Sequence, residues 1–98
     1  PLPTPGLIIG QVCKFYSVDE QTLLGTQRNK GVVEARQVAA YLVRKLTNLS
    51  TPDIGQQFAK DHTTVIHSIR KVESELAKGD TTLQNNIRDI TANINSLL

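Results

Sequence analysis

The amino-acid sequence predicts an all-α fold of about six helices. Three observations carry this expectation. Apolar residues recur at spacings of three and four along nearly the whole chain, the period of one helix face. No stretch alternates apolar and polar residues as a half-buried strand does. Capping residues and glycines fall at the ends of the periodic stretches, where helices start and stop. The chain has 98 residues, enough for one modest core. With two Phe, two Tyr and no Trp or Met, that core is expected to consist of Leu, Ile, Val and Ala.

The elements follow in order. "PLPTPG" is Pro-rich and extended, so residues 1–6 read as a linker or fragment end and residues 7–98 as a single helical domain. Leu7, Ile8, Val12, Phe15 and Tyr16 mark a first helix. Ser17 is expected to N-cap a short second helix, with Glu20 completing a capping box. That helix carries Val18, Leu23 and Leu24 and stops near Gly25. "GTQRNKG" has two bases, two glycines and no apolar residue, and reads as a loop. From Val32 to about Asn48 runs a long third helix with a stripe of Ala35, Val38, Ala39, Leu42 and Leu46. Arg36, Gln37, Ala40 and Arg44 are expected on its other face.

A short helix near 51–58 follows, capped by Ser50 or Thr51, with Pro52 suited to its first helical position and Asp53 favouring its positive end. Ile54 and Phe58 form its buried side. After a turn at Ala59-Lys60, Asp61 is placed to cap a fifth helix near 62–77 by accepting from the amide of Thr63 or Thr64. This helix buries Val65, Ile69, Val72 and Leu76 and ends near Gly79. A last helix, capped by Asp80 or Thr81, runs through Leu83, Ile87, Ile90, Ile94 and Leu97. The short fourth helix and longer fifth one, joined by a tight turn, match a helix-turn-helix.

Charge is distributed unevenly. The net charge is only +2. Yet Arg28 to Lys71 carries eight bases and three acids, a net +5, and the remainder three bases and six acids, a net −3. A basic middle suggests a polyanionic partner; an ordinary solvated face is the bland alternative. No apolar run approaches the ~20 residues of a membrane span, and Pro1 to Gly10 lacks the basic start of a signal peptide. Asn48-Leu49-Ser50 matches a glycosylation sequon, but nothing else points to secretion. The single Cys13 lies in an apolar stretch and reads as a buried thiol in a reducing cytoplasm.

The densest polar cluster is "AKDHTTVIHSIRK", Ala59 to Lys71. Its histidines, His62 and His67, stand five apart. Helical zinc pairs stand three or four apart so that both rings share a face, so this spacing argues against metal. Asp61, His62 and Thr63 are consecutive on one helix tip, a poor start for a nucleophile–base–orienter arrangement, and the chain reads as no enzyme. Lys30 precedes Gly31 with no strand before it, so no phosphate-binding loop is formed there. Duplex DNA suits the cluster better. The second helix of a helix-turn-helix presents its N-terminal residues to base edges in the major groove. Threonine offers a hydroxyl and a methyl, Asp accepts from amino groups, and imidazole does either. Arg28 and Lys30 would form an arm for the minor groove, where Arg favours narrow A·T-rich sequence.

"ARQVAAYLVRKLTNLSTPDIGQQFAKDHTTVIHSIRK", Ala35 to Lys71, closely resembles the C-terminal DNA-binding domain of the bacterial replication initiator DnaA family. Three motifs carry the resemblance: "ARQVAAYL", "LTNLSTPDIG" and, most specifically, "KDHTTVIHSIRK". It extends over nearly the whole chain. The resemblance implies six helices and sequence-specific binding of double-stranded DNA at DnaA boxes of the replication origin, in the bacterial cytoplasm at the nucleoid. By position, Asp61, His62 and Thr63 would read bases in the major groove, with Thr64 contributing to readout and backbone contact. Arg28 would enter the minor groove. Lys30, Arg36, Gln37, Arg44, Thr51, Pro52, His67 and Lys71 would hold phosphate and sugar. The resemblance implies no cofactor in this fragment; ATP would belong to an AAA+ domain of the parent protein, an oligomer at the origin, whereas the fragment would be a monomer. Two alternatives stay open: a domain of this type within another DNA-processing protein, and a helical protein-interaction module with a basic face.

The chain departs from the family pattern in three places. Many members have two glycines and an Arg between the Phe and the Asp-His, where this chain has only Ala59 and Lys60. Ala35 stands where Pro is common, and the basic loop has no run of arginines.

Overall fold

Six α-helices account for the regular structure: α1 Pro5–Tyr16, α2 Glu20–Leu24, α3 Lys30–Leu46, α4 Thr51–Phe58, α5 His62–Ala77 and α6 Thr81–Ser96. The structure, a computed structural model, describes all of residues 1–98 and contains no strand. Five helices begin at a side-chain oxygen that accepts a first-turn amide. Thr4 accepts from Leu7 at 3.1 Å, Asp19 from Thr22 at 2.7 Å and Ser50 from Asp53 at 3.3 Å. Asp61 accepts from Thr64 and Asp80 from Leu83, each at 2.9 Å. Asn29 before α3 makes no such bond.

Several boundaries differ from those the sequence suggests. Helix α1 starts at Pro5, two residues before the apolar period begins, because Thr4 caps it and Pro suits the first turn. Ser17 does not cap α2. It adopts the left-handed conformation (φ 55°) and closes α1 in a Schellman arrangement, with the Val18 amide donating to the Cys13 carbonyl at 3.0 Å. The cap of α2 passes to Asp19, and Val18 lies outside the helix. Lys30 and Gly31 are helical, so α3 spans 30–46 rather than 32–48. Thr47 ends it by donating its hydroxyl to the Val43 carbonyl at 2.6 Å.

The core sits around α3, which packs against α1, α2, α4 and α5, while α6 covers α1 and α5. Being enclosed by four helices, α3 is buried over more than one stripe. Ala40, placed on the polar face by its spacing, is 3% exposed, and Tyr41 and Val43 are buried too. Phe15, expected in the α1 stripe, is instead 37% exposed, and the buried face extends to Ile9 and Cys13 on its other edge. Burial pushes the Cys13 thiol up from its usual pKa, with Glu20 and Asp19 adding to it. Leu97 lies beyond α6 and is exposed. The Tyr16 hydroxyl donates to Glu34 at 2.8 Å, tying α1 to α3. Burial, then this bond, raises the Tyr16 pKa above its ordinary value. Val65, Ile69 and Val72 fasten α5 to the core, each worth about 1.5–3 kcal/mol when fully buried. No helix is long and apolar enough to cross a membrane.

Candidate nucleic-acid interface

The junction between α4 and α5 is built from three residues, Ala59, Lys60 and Asp61. Ala59 adopts the left-handed conformation at φ 53°. The Ala59 amide donates to Gln56 at 3.3 Å and the Lys60 amide to Gly55 at 2.9 Å, a Schellman closure of α4. An L-residue in this conformation costs roughly 1–2 kcal/mol, which is why glycine is the usual occupant. The turn is therefore a compact helix end that tolerates alanine. Gly55 makes the closure possible. A Cβ there would lie 2.5 Å from the Lys60 carbonyl oxygen, so only glycine lets the turn fold back onto α4. Phe58 and Ile54 anchor α4 from beneath.

The first turn of α5 emerges directly from this junction. Asp61, His62, Thr63 and Thr64 are all exposed. The Thr64 amide holds the Asp61 carboxyl below the usual carboxylate range, with the hydroxyl of Thr64 and the amide of Thr63 assisting. One Asp61 oxygen is thus occupied by the cap; the carboxylate has a second with which to accept from an outside donor. The side chains of His62 and Thr63 make no hydrogen bond within the chain. His67 and Arg70 are exposed further along the helix. Lys71, also exposed, pairs with Glu75 at 2.9 Å, and this bond lowers the Glu75 pKa. No group of three His, Cys, Asp or Glu residues converges anywhere in the molecule.

Beside the tip lies the loop between α2 and α3. Arg36 reaches back from α3 to three carbonyls of that region: Leu23 at 2.6 Å, Gln27 at 3.0 Å and Thr22 at 3.2 Å. Helix α2 has no basic residue in its last turn, and the guanidinium serves its negative end in place of one. Burial, then the neighbouring Arg28, draws the Arg36 pKa below its usual value. Lys60 donates to the Gly25 carbonyl at 3.0 Å from the helix-turn-helix junction. Arg28 itself is exposed and donates to nothing in the chain.

These groups form the walls of one open groove of about 330 Å³. Arg28, Arg36 and Lys60 line it together with Gln37, Thr64, Ser68 and Thr26, and no acid does. The fold therefore brings the loop and the first turns of α5, more than thirty residues apart in sequence, to a single cationic channel. A second cleft of about 460 Å³ has mixed charge: Arg28, Lys30 and Lys71 face Glu34, Glu75 and Asp80.

The remaining candidates sit elsewhere. Arg44, near the end of α3, donates to the Leu49 carbonyl at 2.8 Å and steadies the approach to α4. Thr51 and exposed Pro52 form the N-terminal turn of α4, where Asp53 is also exposed. Lys30 is exposed at the first position of α3. Lys60, Ser68 and Thr26 line the channel although their sequence positions did not single them out. Ser68 stands four residues after Thr64, so helical spacing alone would have found it. Nothing local signals Lys60, whose partner lies 35 residues away.

Comparison with known proteins agrees with this architecture. The family model described as the bacterial dnaA protein helix-turn-helix matches residues 5–72. A chromosomal replication initiator protein DnaA of Limosilactobacillus reuteri (strain DSM 20016) is 49% identical over 87 residues, 88% of this chain and 20% of the relative. The DnaA of Caldanaerobacter subterraneus subsp. tengcongensis is 42% identical over 91 residues, covering 93% of this chain and 20% of the relative. DnaA 1 of Chlamydia pneumoniae is 39% identical over 94 residues, covering 96% of this chain and again 20% of the relative. The chain spans about a fifth of the length of these curated relatives.

Proposed function

The chain belongs to the bacterial DnaA helix-turn-helix family, and from that premise we propose that it binds double-stranded DNA at DnaA boxes, with α5 in the major groove and Arg28 in the adjacent minor groove. One observation carries the reading: Thr64, the last residue of the exposed tip Asp61–Thr64, lines an acid-free channel that also holds Arg28. Base readout falls to Asp61, His62, Thr63 and Thr64, whose small polar groups fit the edges of the major groove. His67, Lys71, Lys30, Gln37, Arg44, Thr51 and Pro52 supply backbone contact around this centre. Arg36 keeps that role only through donors not already given to the carbonyls of α2. The domain acts as a binding module rather than an enzyme. In the parent protein, ATP binding belongs to an AAA+ domain beyond these 98 residues, and assembly takes place at the origin in the bacterial cytoplasm.

The test is a titration of duplex carrying a DnaA box against a scrambled duplex at two salt concentrations. Specific binding requires tighter association with the box at both. Thr63→Ala or His62→Ala is expected to cost about 1–3 kcal/mol on the box and to relax choice at one or two positions. Equal affinity of the unaltered domain for box and scrambled duplex is the result that defeats the proposal. It would favour instead a basic face for an acidic protein partner.

A further inference from the structure

The channel has two sides that come from different parts of the chain, and one hydrogen bond joins the turn on one side to the loop on the other. We propose that Lys60 is a positioning residue: its ammonium holds the Gly25 carbonyl and so sets the Arg28 loop at a fixed offset from the tip of α5. This rests on the DNA-binding reading of the two sides.

The anchoring of Lys60 is firm at its own end. Its amide donates to Gly55 at 2.9 Å, and its carbonyl lies where a Cβ on Gly55 would intrude at 2.5 Å. The residue is half-buried, and its side chain leaves from backbone that cannot shift without disturbing α4. At the far end, Gly25 is the C-cap of α2, with its amide donating to Thr22 at 3.1 Å. Terminal helix carbonyls need donors from outside the helix, and a cation there is favoured by the helix dipole. Arg36 meets Thr22, Leu23 and, within the loop itself, Gln27; Lys60 meets Gly25. The two cations divide the work. Arg36 fastens the α2 end and Gln27 to α3, whereas Lys60 alone fastens the α2 end to the junction from which α5 starts. Arg28 follows Gly25 by three residues, close enough for this tie to limit where it can stand. Recognition of two grooves at once depends on that offset, since a contact misplaced by a residue spacing meets the wrong base pair.

The experiment uses Lys60→Met, which keeps the aliphatic stem and removes the donor, and Lys60→Arg, which keeps a donor. Backbone amide relaxation is measured on each free domain. Binding is measured to a box duplex, to the same duplex with the A·T pairs facing Arg28 changed to G·C, and to a scrambled duplex. Each measurement is repeated in an Arg28→Ala background. With Met, the amides of Thr26 to Asn29 are expected to gain fast motion while those of Thr63 and Thr64 do not. Discrimination between the A·T and G·C duplexes is expected to fall at least about fivefold. No further loss is expected in the Arg28→Ala background, and Lys60→Arg restores both readouts. Unchanged loop amides in the Met variant overturn the proposal. So does a uniform weakening on every duplex that persists in the Arg28→Ala background, the behaviour of a plain phosphate contact. The relaxation result needs no DNA, so failure of the tie and failure of the DNA-binding reading remain distinguishable.

Discussion

The tip of α5 and the loop between α2 and α3 meet at one channel, lined by Thr64 from the tip and Arg28 from the loop, yet they commit their polar groups differently. At the tip, His62 and Thr63 give no side-chain bond to the chain, and Asp61 gives only its capping oxygen. At the loop, Arg36 spends three bonds on carbonyls and Lys60 a fourth, leaving Arg28 and Lys30 uncommitted. Uncommitted groups on a rigid mount are suited to reading a partner, because no internal bond must break first. Committed cations provide the mount. Net charge treats both kinds alike, so a basic sequence overstates how many cations are free for a phosphate.

The comparison is most severely tested beneath both regions. Ile69→Ala removes buried methylenes from the inner face of α5 and is expected to cost about 2–5 kcal/mol of stability, seen as a lower denaturation midpoint. A smaller loss comes from Arg36→Met. It leaves carbonyls of α2 without donors and is expected to cost about 1–3 kcal/mol, whereas Thr63→Ala should stay within about 0.5 kcal/mol. A stability loss from Thr63→Ala as large as that from Arg36→Met would erase the distinction between reader and mount. At the junction, Ala59→Gly relieves the left-handed alanine at the cost of a more flexible unfolded chain. A gain of up to about 1 kcal/mol is expected from the same measurement.

The smallest effect is in pH dependence. The folded state depresses the Asp61 pKa, so its contribution is present above the unfolded carboxyl pKa and is lost as pH falls through the folded one. Asp61→Asn retains a capping oxygen but does not titrate. Its acid-limb stability curve should be flatter than that of the unaltered domain, measured by denaturation across the acid range.

Much of the fold was legible because its causes are local. Asp61 and Asp80 announce helix starts through their own side chains, three residues from the amides they accept. Val65, Ile69 and Val72 show the buried face of α5 by spacing alone. Ser17 misled for a related reason. It is a good N-cap type, but Asp19 is a competing acceptor two residues on, and the closure of α1 took Ser17 instead. Of the three left-handed closures, only Gly79 carries the residue that advertises one; Ser17 and Ala59 do not. Phe15 and Ala40 erred together because periodicity gives the direction of a stripe and not how many neighbours surround the helix.

The amino-acid order by itself determined six helical segments, the capping of α5 by Asp61, and an exposed polar tip on α5, since each depends on groups within about four residues. Tertiary structure alone decided which cations are free. Arg36 finds carbonyls 9 to 14 residues away and Lys60 one 35 residues away, and such partners become neighbours only when helices pack. The channel between the loop and α5 exists for the same reason: α3 supplies one wall and holds both sides in place, an arrangement that no local propensity encodes.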